Sequence, residues 1–93
     1  MAARFLIEVP HEVTTLECLR AIEAVLKSGN HFLTHADWGC KDGEHKAWFT
    51  AEADNKDEAR TIVPPAFRSK AKIVQLNTFS LDEVEEILRN LKP

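Results

Sequence analysis

An α+β domain, with one four-stranded antiparallel sheet and helices on a single face, is predicted by three features of this chain. Apolar residues alternate along residues 4–9, as in a half-buried strand. Asp42-Gly43 sits in the middle of a β-rich stretch and reads as a hairpin turn. Between and after these segments, capping residues open stretches whose apolar residues recur at helical spacing.

Taken in order, Phe5, Ile7 and Val9 point to one side of the first strand, and Arg4, Leu6 and Glu8 to the other. Pro10 ends it because it has no N–H for a ladder. Thr14 and Glu17 form a capping box for the first helix. Leu16, Leu19, Ile22, Val25 and Leu26 are its expected inward face, and Gly29 its left-handed stop. Residues 31–54 read as two strands joined by a two-residue Asp42-Gly43 turn. That turn sets Trp38 opposite Ala47, Ala36 opposite Phe49 and Thr34 opposite Ala51 on the covered side. On the open side it sets Asp37 opposite Trp48 and His35 opposite Thr50.

Asn55 caps a second helix with Asp57 and Glu58 in its first turn, where the dipole favours acids. Pro64-Pro65 break that helix, and Pro65 starts another turn. Residues 72–78 form a fourth strand. Ser80 and Glu83 then open a final helix with Leu81, Val84, Ile87, Leu88 and Leu91 expected inward. The order βαββαβ plus a C-terminal helix is that of a ferredoxin-like sandwich, here one domain spanning residues 1–93. On this reading Leu6, Trp48 and Ile73 share the open sheet face and need a cover. The expected cover is a second copy in a homodimer or the C-terminal helix.

Composition narrows function by exclusion. The chain has 93 residues, 44% hydrophobic and 29% charged, enough for one core and typical of a globular domain. A net charge of -3 argues against a nucleic-acid partner and provides no basic anchor for a membrane surface. The commonest RNA-binding module shares the element order. Here, however, residues 45–52 offer one outward aromatic, Trp48, and no glycine pattern. No apolar run reaches the length of a membrane-spanning helix, and residues 1–10 do not read as a signal peptide. Two cysteines are too few for a disulfide framework, so both are expected as thiols in a cytoplasmic protein.

Two groups of residues could carry chemistry. His31, His35, Asp37, Cys40 and His45 gather in the predicted hairpin, with Cys40 and His45 as cross-strand neighbours. Imidazole and thiolate donors suit nickel, zinc or copper, so His31, His35, Cys40 and His45 are the candidate ligands. The alternative is a set of hairpin residues making local hydrogen bonds. On the open face, Glu8, His35, Asp37, Trp48 and Thr50 describe either a small-molecule cleft with an acid/base pair or a dimer interface anchored by Trp48. Cys40, between Gly39 and Lys41, could also act as a nucleophile, although free cysteines are more often inert. Arg60, Arg68, Lys70 and Lys72 could hold an anion or simply be solvated.

Over about residues 4–78 the element order resembles the dimeric α+β barrel superfamily, ferredoxin-like proteins that pair through their sheets. Phe5-Leu6-Ile7-Glu8 with a histidine-bearing hairpin is also similar to small nickel-binding proteins of otherwise unknown function. The resemblance implies a homodimer and assigns no ligand residue by residue. The expectation is a binding protein that acts through its open sheet face. Metal binding through the hairpin and a small-molecule enzyme are the alternatives.

Overall fold

The computed structural model describes residues 2–91; Met1, Lys92 and Pro93, the ends of the predicted domain, lie outside the described residues. The chain runs β1 (Ala3–Pro10), α1 (Thr15–Lys27), α2 (His31–Thr34), β2 (Asp37–Trp38), β3 (Lys46–Ala53), α3 (Lys56–Arg60), α4 (Pro65–Arg68), β4 (Lys72–Leu76) and α5 (Leu81–Leu91). The four strands form one sheet in the order β2-β3-β1-β4, every neighbouring pair antiparallel.

Strand alternation sets the core. Phe5, Ile7 and Val9 of β1, Ala47, Phe49, Ala51 and Ala53 of β3, and Ile73 of β4 all point under the helices. Leu33, Val25, Ala59 and Val63 close over them. Ile73 pairs with Ile7 and therefore belongs to this core, not to the open face; Val74 takes the outward position instead.

The hairpin differs from the expected one in its first strand and its turn. Asp37 does lie opposite Trp48 and Trp38 opposite Ala47, but β2 stops there. Residues His31–Thr34 are helical because the Asn30 side chain accepts from the amides of Phe32 and Leu33, and Leu33 is buried. His35 caps this short helix and so does not sit across a ladder from Thr50. The turn is a 3-10 turn over Cys40–Asp42 rather than a two-residue link. The Gly39 carbonyl accepts from both Asp42 and Glu44, and Gly43 alone is left-handed, at φ 83°.

In α1 the small residues face in. Cys18, Ala21 and Val25 are buried, while Leu16, Leu19 and Leu26, expected inside, are exposed. Spaced i, i+3 and i+7, these three residues form the buried stripe of α1, which turns the leucines to its flank. Gly29 follows the helix at φ 72°, but Thr14 bonds the Glu17 carboxylate rather than a backbone amide. Asn55 caps α3 as expected. The double proline forces a bend whose carbonyls are satisfied by arginines. Arg60 donates to Arg68 O and Ala71 O, and Arg68 to Val63 O and Thr61 O. These two guanidiniums are therefore structural. Ser80 caps α5 through the Glu83 amide, yet every residue of α5 is exposed, including the five expected inward.

Gly39 and Gly43 make contrasting demands. A Cβ at Gly39 would lie 2.7 Å from the Glu44 carbonyl oxygen and 2.8 Å from the Trp48 ring, whereas at Gly43 it would meet nothing. Gly39→Ala is expected to cost roughly 1–3 kcal/mol through a forced shift of the hairpin. Gly43→Ala should cost about 1 kcal/mol from its left-handed φ. Urea denaturation of the two variants checks the ranking, and equal costs would contradict it.

Candidate metal centre

Two ladders meet at His45. On one side β3 pairs with β1, and the register continues past Pro10↔Lys46 to a His11 N–H···O=C His45 bond of 3.1 Å. On the other side β3 pairs with β2, and the register continues to a Gly39 N–H···O=C Lys46 bond of 3.1 Å, which brings Cys40 next to His45. His11, His45 and Cys40 thus stand in a row at one end of the sheet. Each continues the inward alternation of its own strand, from Val9, Ala47 and Trp38. Cys18, buried in the first turn of α1, meets this row from the helix layer.

The result is a tight group of two imidazoles and two thiols. One donor atom from each of His11, Cys18, Cys40 and His45 lies within 4.8 Å of all the others. His11 Nε2 is 3.1 Å from Cys18 Sγ and 3.0 Å from Cys40 Sγ. Donors held at ~2.0–2.3 Å from a tetrahedral ion stand about 3.3–3.8 Å apart, so sub-ångström side-chain movements would accommodate one. Both cysteines are free thiols. The His11 ring is held edge-on by Trp38 at 5.5 Å and by His45 at 5.6 Å. A groove of about 250 Å³ lined by Cys18, Leu19, Ile22, Cys40 and His45 gives access to the donors.

Electrostatics and hydrogen bonding favour neutral donors that need a partner. Burial, then the neighbouring His45, pushes the His11 pKa below its ordinary 6.5, against a smaller opposing pull from Glu12. Burial, then Cys18, pushes the Cys40 thiol up from its ordinary value of 9.0. Nδ1 of both His11 and His45 is buried without a hydrogen-bond partner. His11 already turns Nε2 toward the sulfurs, while an orphaned Nδ1 on His45 is the kind of group that a metal satisfies.

The residues singled out from sequence divide between three places. Cys40 and His45 belong to this group. His31 and His35 stand together on α2 with ring centroids 4.6 Å apart, and His35 Nδ1–H donates to the His31 carbonyl at 2.8 Å; neither joins the group. On the open face Glu8 accepts from Trp48 Nε1 at 3.1 Å and pairs with Lys46 at 3.9 Å. Asp37 and Thr50 are exposed there. His11 and Cys18 were not expected in a site. His11 becomes visible only once β1 is paired with β3, and Cys18 only once the small-residue stripe of α1 is turned inward. Searches of protein-family models, curated proteins and solved structures find no match to this chain.

His11 in the metal-free protein should titrate below 6.5 in an NMR pH series. The unfolded chain then binds more protons than the folded one as pH falls through about 6.5, so the metal-free protein loses stability on acidification in that window. A His11 midpoint at or above 6.5 would contradict the burial argument.

Proposed function

We propose that this protein binds one transition-metal ion per chain through His11, Cys18, Cys40 and His45, with zinc the preferred ion. The observation that carries the reading is the convergence within 4.8 Å of four N and S donors from three separated chain segments. Two thiolates and two imidazoles suit tetrahedral zinc, and copper or nickel would compete for the same donors. Four protein ligands leave no open position for a substrate, so the ion's role is to fasten α1 and the β1–α1 connection to the hairpin. Two unpaired cysteines support a reducing, cytoplasmic setting. The strand order β2-β3-β1-β4, with helical crossovers between β1 and β2 and between β3 and β4, supports a ferredoxin-like sandwich.

Metal loading must displace the protons of two thiols, so affinity falls with falling pH and loading near neutrality releases about two protons. Native mass spectrometry of untagged protein with zinc, nickel and copper in turn, under reducing conditions, tests the assignment. Expected is one ion per chain. Its affinity should fall at least tenfold in Cys18→Ser, Cys40→Ser, His11→Ala or His45→Ala, and remain unchanged in His31→Ala and His35→Ala. Zinc at ~100 times its Kd stabilises by about 2.7 kcal/mol, which raises Tm by roughly 10–20 °C in a domain of this size. A protein that retains none of the three ions and whose Tm ignores them would overturn the proposal.

A further inference from the structure

Two of the four donors in the metal centre are thiols that can also bond to each other. Cys18 Sγ and Cys40 Sγ lie within 4.8 Å of one another. The same His11 Nε2 stands 3.1 Å from the first sulfur and 3.0 Å from the second. They are the only two cysteines of the chain, and both are free thiols. Cys18 comes from α1 and Cys40 from the 3-10 turn, so a bond between them ties the helix layer to the hairpin without an ion.

The bonded and the metal-loaded states exclude each other on geometry. A disulfide brings its sulfurs to about 2.05 Å, whereas two thiolates on one tetrahedral ion stand about 3.8 Å apart. A disulfide sulfur also lacks the thiolate charge that binds metal, so oxidation leaves His11 and His45 as the only strong ligands. Access to the two sulfurs is unequal. Cys18 is 5% exposed, whereas Cys40 is half-buried and borders two grooves. One groove, of about 250 Å³, is shared with Cys18, and the other, of about 430 Å³, lies beside Trp38 and Lys41. An oxidant therefore reaches Cys40 first, and Cys18 attacks the product from within.

We propose that Cys18 and Cys40 form a reversible disulfide that expels the metal ion, with hydrogen peroxide as the oxidant. The proposal rests on the metal-binding reading above and adds its regulation. In the first step the Cys40 thiolate attacks one peroxide oxygen. The S–O bond forms, the O–O bond breaks, and the departing hydroxide takes up a proton to become water. In the second step the Cys18 thiolate attacks the Cys40 sulfur. The S–S bond forms, the S–O bond breaks, and the second hydroxide leaves as water with a second proton. Each sulfur has then given up one electron, both peroxide oxygens are reduced, and the zinc departs as its dication. Exchange with a dithiol, itself oxidised to a disulfide, restores both thiols. Burial and the neighbouring Cys18 push the Cys40 thiol above its ordinary 9.0, which slows its attack in the metal-free chain. The pair therefore answers sustained oxidation and not a brief pulse.

Hydrogen peroxide added to the reduced, zinc-loaded full chain tests this, with intact mass and zinc release to a chromogenic chelator read on one sample. Expected are a loss of about 2 Da, a peptide linking Cys18 to Cys40, and one zinc released per disulfide. Dithiothreitol should restore both thiols and zinc binding. In glutathione buffers, zinc at ~100 times its Kd should lower the [GSH]²/[GSSG] ratio at half-oxidation about a hundredfold, because only the reduced chain holds the ion. Zinc bound at first but retained through peroxide treatment overturns the switch and leaves the metal centre standing. So does release that accompanies a gain of about 32 Da, the mark of a sulfinic acid, or cross-linked chains. A disulfide whose midpoint ignores zinc overturns the coupling. A chain that holds no zinc before peroxide overturns the metal centre and the switch together.

Discussion

The position of β3 between β1 and β2 is the constraint from which the site follows. Antiparallel pairing on both flanks gives His45 two neighbours at once, His11 on the β1 side and Cys40 on the β2 side. Strand parity then turns all three toward the helix layer. A slip of one residue in either ladder would send a donor to the opposite face. The same registers bury Phe5, Ile7, Phe49 and Ile73, so the energy that packs the core also aligns the donors.

The helix layer completes the group at some cost in burial. By burying Cys18, Ala21 and Val25, α1 leaves Leu16, Leu19 and Leu26 in water. Apolar burial alone would favour the leucines, and the small-residue stripe makes sense as a means of bringing a thiol down to the row of His11, His45 and Cys40. An ion shared by those four side chains would hold α1 to the hairpin where few large side chains do. It would also resolve the two orphaned ring nitrogens only in part, since His11 Nδ1 faces away from the sulfurs.

Much of the framework was legible in the chain itself. Alternation in β1, the Asn55 cap, the double-proline break and the Trp38–Ala47 pairing were all readable, because each is a local rule with a local cause. The site was half legible. Cys40 and His45 followed from the hairpin register, even though the turn that joins their strands is a 3-10 turn and not the expected two-residue link. His11 and Cys18 could not be placed without the β1–β3 pairing and the rotation of α1, both tertiary properties. His31 and His35 misled because Asn30 caps a short helix in a stretch that reads as a strand. Hydrophobic periodicity placed the α1 and α5 helices but not the faces they bury. Of the expected inward face of α1, Val25 is buried and Ile22 half-buried, while the three leucines are exposed. In α5 no residue is buried.

Zinc K-edge X-ray absorption on zinc-loaded, reduced protein tests the central claim most directly. A shell of two sulfurs at about 2.3 Å and two nitrogens at about 2.0 Å is the predicted result. A shell of nitrogen and oxygen alone, unchanged when Cys18 and Cys40 are replaced by serine, would place the ion elsewhere and contradict the account.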